Sequence, residues 1–381
     1  MRSVDRQRTD KYTVLMKGKL VFTALFLCVT LYAPLSLFCQ DFQTEGTTLV
    51  RYRGDAAYVE IPEGVTSIGD GAFLECTGLT SVTIPAGVTS IGNYAFAECS
   101  SLTSVNIPSG VVSIGEGAFG ACSSLRSINI PASVTSIGEG AFILCSSLTN
   151  VTLSASITSI GNIAFAKCGS LRSITIPAGV TSIGDGAFGY CSSLTSVIMP
   201  SSVTSIGVAA FFECTSLINV TIPASVTSIE DAAFGTCISL TSVTIPAGVT
   251  SIGEGAFLGC SNLTSVIIPS SVTSIGNGAF SECGSLTSVI IPSGVASIGV
   301  AAFGECISLT GVTISSSVTT VGDEAFFGCS NLTSIIIPSS VTSIGQGAFY
   351  RCTNLRTVTV SRRTTLGRNA FPRSVQITYS D

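Results

Sequence analysis

Apolar and polar positions recur along this chain with a period of 23 residues, thirteen times over from Val65 to Arg363, without an insertion or a deletion. The unit reads V-T-S-I-G-x-x-A-F-x-x-C-x-x-L-T-S-V-T-I-P-x-x. Phenylalanine stands at 73, 96, 119 and onward to 349, always after alanine. Cysteine follows three residues later, from Cys76 to Cys352, and leucine three later again, from Leu79 to Leu355. A strict period of this size marks a stacked array in which each copy touches mainly its neighbours. Within the unit, L-T-S-V-T-I places Val82 and Ile84 on one face of a strand and Ser81 and Thr83 on the other. Proline, in ten of the thirteen copies, ends that strand because it offers no ladder donor; Ser154, Ser315 and Ser361 take its place in the other three. V-T-S-I is extended again. The glycine after it, as at Gly69 and Gly92, predicts a turn that is tight or needs positive φ, with Glu230 the one exception. G-x-x-A-F-x-x-C predicts a short helical or 3-10 turn with Ala, Phe and Cys on one side.

Each copy thus offers eight inward residues: in the first, Val65, Ile68, Ala72, Phe73, Cys76, Leu79, Val82 and Ile84. One copy cannot bury them, but a stack can. The predicted fold is a repeat solenoid: a parallel β ladder with short helical or 3-10 turns and a spine of stacked phenylalanines, about 60 Å long at about 4.8 Å per rung. The pattern divides the chain into an N-terminal cap and half repeat (40–64), thirteen repeats (65–363) and a C-terminal cap (364–381). Phe42 to Tyr58 reads as an irregular lead-in. Asn369-Ala370-Phe371 repeats the Ala-Phe step one residue early, and VQITY at 375–379 offers a last strand.

Residues 1–39 have the layout of a secretory signal: Lys17 and Lys19, an uncharged apolar run over 20–33, then Pro34 and a cleavage region ending at Cys39. Met16 is a plausible start. Two other readings stay open, a lipid anchor on Cys39 and a retained membrane segment over Leu20–Phe38. With the signal removed, no membrane span is expected in the remaining chain.

Composition narrows the function. The chain has no histidine, which removes the commonest general base and metal ligand and with it the Ser-His-Asp and Cys-His schemes. No catalytic residue, metal or cofactor is predicted. Beyond residue 39 there are 11 basic and 20 acidic residues, a balance of −9, and six of the 11 lie after position 350: Arg351, Arg356, Arg362, Arg363, Arg368 and Arg373. No dense Lys/Arg stripe of a nucleic-acid binder is present. The basic end reads as a solvated cap, with an anion site as the alternative.

The V-T-S-I-G-x-x-A-F-x-x-C-x-x-L-x-x-V-x-I-P pattern resembles the BspA-like leucine-rich repeats, over residues from about 47 to 380. The resemblance implies a right-handed leucine-rich-repeat superhelix on an exported, secreted or cell-surface protein. It also implies a role in adhesion to host proteins or other cells. The family motif is structural, so it carries no site residues with it.

Three features invite a chemical reading. The thirteen cysteines sit between apolar anchors and read as small buried residues. A disulfide or metal ladder is the alternative, disfavoured because in-register Cβ vectors run parallel rather than converging. The Thr83 and Thr80 rows read as outward, strand-favouring hydroxyls, with ice or carbohydrate binding as the alternative. The informative positions are where those rows break, since repeat proteins bind through variable positions on a constant frame. Asn106, Asn129, Ile198, Ile267, Ile290 and Ile336 interrupt the Thr83 row; Arg126, Arg172, Ile218 and Arg356 interrupt the Thr80 row. Arg126, Asn129, Arg172, Ile198, Ile218, Ile267, Ile290 and Ile336 form the candidate binding set, neutral drift being the competing account. The residues after Phe also vary (Leu74, Ile143, Phe212, Leu258, Phe327, Tyr350) and read as half-buried spacers. The expected partner is an extracellular protein or glycan bound on the strand face, and the alternative role is a structural surface or matrix scaffold. The acidic Asp70, Glu116, Glu139, Asp185 and Glu254 follow the repeat and read as solvated edge charges.

Overall fold

The computed structural model describes residues 41–380; the signal segment, Met16 and Cys39 lie outside them. The described chain winds into a β-solenoid of about fourteen turns of roughly 23 residues. Each coil lays down two short strands. The V-T-S-I strands, such as Ser67–Ile68 and Ser90–Ile91, belong to one 16-stranded ladder that runs the whole length of the rod. The L-T-S-V-T-I strands, such as Ser81–Thr83, form a second, facing ladder broken into sheets of five, five, two and three strands. Register is strict because the period is: Ser67 pairs with Ser90 and Ile68 with Ile91, and Val82 pairs with Val105.

The eight inward positions pack into one continuous core in every coil. The phenylalanines from Phe73 to Phe349 form a single column, with successive ring centroids 4.8–5.5 Å apart and rings parallel to within 10°. Phe371 extends the column at 5.1 Å although it comes one residue early. At the other end the lead-in is ordered. Phe42–Glu45 and Thr48–Tyr52 form an antiparallel hairpin, Leu49 pairs with Ile68, and Tyr52 stacks on Phe73 at 5.2 Å. The hairpin therefore supplies a first, shortened coil.

The predicted helical or 3-10 turn is not formed: among the described residues no helix is present. The hydrogen bonds explain why. Alternate amides point in different directions. Ala72 N–H donates to Gly69 O at 3.2 Å and Leu74 N–H to Gly71 O at 3.0 Å, within the coil. Gly71, Phe73 and Glu75 N–H donate instead to Asn93, Ala95 and Ala97 O of the next coil, at 2.8, 2.7 and 2.9 Å. A helix would consume every amide internally and leave none to join the coils. The alternation is set by two left-handed residues per coil, two before and two after Phe, as at Gly71 (φ 61°) and Glu75 (φ 60°).

Positive φ therefore falls beside the phenylalanine and not at the glycine after Ile. That glycine is required by close approach. A Cβ on Gly138 would stand 2.7 Å from Gly115 O and 2.8 Å from Ile114 O, backbone atoms of the coil below. Glu230, in the same row, turns its carboxylate back to accept the Ser228 hydroxyl at 2.7 Å.

Candidate functional site

The cysteines belong to the frame. All thirteen within the described residues carry free thiols, and all but the half-buried Cys76 are buried. Each buried thiol donates to the carbonyl of the phenylalanine in the preceding coil: Cys99 to Phe73 O at 3.1 Å, Cys191 to Phe165 O at 3.2 Å, and so on to Cys352. This S–H···O bond is why a small donor recurs there. Burial pushes the thiols of Cys122, Cys191, Cys260 and Cys306 up to about 12, far from the thiolate needed for nucleophilic or metal chemistry.

The rows next to the strands are likewise partly consumed. Thr103 hydroxyl donates to Thr80 O at 3.1 Å, Thr149 to Arg126 O at 3.0 Å and Thr195 to Arg172 O at 3.0 Å. The Thr80 row is thus a coil-to-coil hydrogen-bond ladder and not a row of free hydroxyls. Where Arg126, Arg172 or Ile218 interrupts it, the coil keeps its carbonyl as an acceptor and presents a different side chain. Of the edge acids, Asp70 accepts from Asn93 N–H at 2.7 Å and Asp185 from Val208 N–H at 2.9 Å. These two carboxylates tie neighbouring coils together, where the sequence suggested solvated charges.

All eight candidate residues lie exposed on the facing ladder. They do not converge on one pocket. From Arg126 to Ile336 is nine coil steps, about 45 Å at about 4.8 Å each. Arg126 and Asn129 share one strand, Ser127–Asn129 and the residue before it, and Arg172 follows two coils on. Ile198 and Ile218 stand on adjacent coils, but since Ser196 pairs with Asn219, Ile218 lies three residues from Ile198 along the strand. Ile267 and Ile290 stand on adjacent coils at 65% and 66% exposure, and Ile336, two coils further, is 76% exposed. The ladder between the strands of Ile267 and Ile290 is interrupted. One residue was missed: Asn219 interrupts the Ser81 row and lines a groove of about 560 Å³ between its coil and the next, with Thr221, Ile222, Ser242, Thr244 and Pro246. The break in the serine row was its signal in the sequence.

The chain matches the family described as BspA type leucine rich repeat region (6 copies), over residues 52–172, 158–286 and 274–380. Among solved structures, a leucine-rich repeat protein from Bacteroides ovatus is 28% identical with a TM-score of 0.77, covering 93% of this chain and 100% of its own. A leucine rich cell surface protein from Faecalibacterium prausnitzii is 30% identical with a TM-score of 0.52, covering 92% of this chain and 96% of its own. The pneumococcal vaccine antigen PcpA, at 21% identity and a TM-score of 0.54 over 89% of this chain and 90% of its own, shares the fold. No curated protein matches the chain significantly.

Proposed function

This chain belongs to the BspA-type leucine-rich repeat family, and we propose that it is an exported surface adhesin that holds a protein or glycan partner against the facing ladder and performs no catalysis. The observation that carries this reading is the apolar strip. Ile267, Ile290 and Ile336 are large and exposed on a face built mostly of serine and threonine, which Asn, Arg and two further isoleucines interrupt elsewhere along the rod. An exposed apolar patch on a hydrophilic frame marks a contact surface, and burying one such side chain is worth about 1.5–3 kcal/mol. Export is supported by the layout of residues 1–39 and by the cell-surface description of the Faecalibacterium relative. Among the described residues no helix is long and apolar enough to cross a membrane. The same role extends to the groove at Asn219, whose lining mixes Thr221, Ser242 and Thr244 with Ile222 and Pro246.

One feature favours a second reading. The Thr80 row is spent on joining coils, as expected of a rod whose stiffness is the product, a surface or matrix scaffold. Binding of residues 40–381 to immobilised matrix proteins, plasma proteins and glycans separates the two. A partner bound by the parent and lost by Ile267→Asp/Ile290→Asp, with circular dichroism unchanged, establishes the adhesin and its face. A folded fragment that binds nothing on the array gives the scaffold reading its support.

A further inference from the structure

The last three coils carry a cavity on the turn side of the rod, away from the facing ladder. It measures about 280 Å³ and is lined by Glu324, Phe327, Gln346, Tyr350, Arg351 and Arg368, with Gly347 and Asn369 completing the wall. Two rows of the repeat change character here. The position of Arg351 is glutamate in five earlier coils, at Glu75, Glu98, Glu213, Glu282 and Glu305. The position of Arg368 is acidic or amide through most of the stack, as at Asp70, Asn93 and Asp185. Both become arginine at this end. The residue after Phe, small at Ala97, Gly120, Gly235 and Gly304, becomes Phe327 and then Tyr350 in consecutive coils.

The side chains are arranged to receive something. Phe327 is buried and forms the floor, with the Arg351 guanidinium 5.5 Å over its ring. Tyr350 stands beside it, ring centroids 6.0 Å apart and tilted by 47°, and remains 45% exposed. Neither Arg351 nor Arg368 has an ion-pair partner among the described residues, although Glu324 lines the same cavity. The local balance is one positive charge, set against a rod that is otherwise acidic.

We propose that this cavity binds an acidic monosaccharide unit of the uronic-acid type. Two arginines supply forked donors that match a carboxylate. The exposed tyrosine face accepts the apolar C–H face of a pyranose ring. The Gln346 and Asn369 amides and the Glu324 carboxylate offer donors and acceptors for ring hydroxyls. The volume lies at the lower edge of the roughly 300–1,000 Å³ usual for small-molecule pockets, which suits one sugar ring and not a chain. A bare phosphate would use the arginines and leave the exposed Tyr350 ring and the amides without a role.

The test uses the full chain and glucuronate as probe, with glucose and acetate as controls, read by calorimetry and by saturation-transfer NMR on the probe. Glucuronate is expected to bind saturably, with glucose and acetate at least tenfold weaker. Arg368→Gln and Tyr350→Leu, both surface changes, are each expected to weaken glucuronate tenfold or more with the thermal melt unmoved. Ile267→Asp/Ile290→Asp, on the other face, is expected to leave it unchanged. Acetate binding as tightly as glucuronate would reduce the site to a simple anion sink and overturn the saccharide assignment. Absence of saturable glucuronate binding, or equal binding by Arg368→Gln and Tyr350→Leu, overturns the site itself.

Discussion

Replacing Phe211 by alanine tests the stacked core at its middle. The ring is fully buried and lies 5.4 Å from both Phe188 and Phe234, parallel to each within 6°. Its loss leaves a hole on the order of 100 Å³, and at about 24 cal/mol per Å³ an uncollapsed cavity of that size costs about 2.4 kcal/mol before the lost transfer energy is added. The neighbours cannot close over it. Phe188 and Phe211 N–H are each held at 2.8 Å to the alanine carbonyl of the next coil, and Cys237 is held to Phe211 O at 3.3 Å. The expected loss is therefore in the usual Phe→Ala range of about 3–5 kcal/mol. Phe371→Ala, with one ring neighbour at the end of the stack, should cost about half as much. Urea unfolding of residues 40–381, followed by far-ultraviolet circular dichroism, measures both. In a nearest-neighbour array a mid-stack defect also weakens the coupling of the two halves, so the Phe211→Ala transition should broaden or split. A Phe211→Ala transition that coincides with the parent's, or equal losses for the two variants, refutes the stacked-core account.

Other consequences follow from the frame. In native residues 40–381 a thiol reagent should modify Cys76 alone, and all thirteen cysteines after denaturation; rapid native labelling of a second thiol contradicts the buried ladder. Alkali should unfold the rod: thiols ionise at about 8.5 when unfolded, but those of Cys122, Cys191, Cys260 and Cys306 stay protonated to about 12 when folded. Above about pH 8.5 the unfolded state then binds fewer protons, so stability is full only well below that pH and falls by up to about 1.4 kcal/mol per pH unit per thiol; a urea midpoint equal at pH 7 and pH 10 would show this wrong. Gly138→Ala should cost about 1–3 kcal/mol by forcing a methyl onto backbone of the coil below, and an unchanged urea midpoint would mean the coils can part there. Asp185→Ala, which strands the Val208 amide, should cost about 1 kcal/mol in the same assay.

The period carried most of the fold. The eight inward positions, the phenylalanine column and the parallel register were all legible because each copy repeats them without slippage. The turn was not. Ala, Phe and Cys three and four apart suit a helix as well as they suit the observed turn. Only the demand of the next coil for hydrogen bonds decides against the helix, and that demand is a property of the stack. The glycine after Ile was read as tight or left-handed; the close approach of the coil below supplies the reason, and the left-handed residues sit two places either side of Phe, on glycine in some coils (Gly71, Gly117, Gly140) and on Glu, Ala or Lys in others, so that no single residue type marks the row. The hairpin lead-in hid because Leu49 and Tyr52 stand three apart where Ile68 and Phe73 stand five apart. On the facing ladder the row breaks could be read off directly, while the separation of Arg126 from Ile336 and the groove at Asn219 needed coordinates. The cavity at Arg351 and Arg368 was the least visible, since it draws on three coils, the last of them one residue short.

The bonds that hold coil to coil, such as Phe73 N–H to Ala95 O, run along the axis of the rod. A pull on its two ends therefore loads them one coil at a time, as in opening a zipper, and not all together as in shearing two strands. Each 23-residue coil that lets go pays out about 80 Å of chain at about 3.3–3.6 Å per residue. A tether of this construction lengthens in steps under load and lets tension fall after each one. A particle held on a coil in the middle of the rod would stay held while the ends unwind.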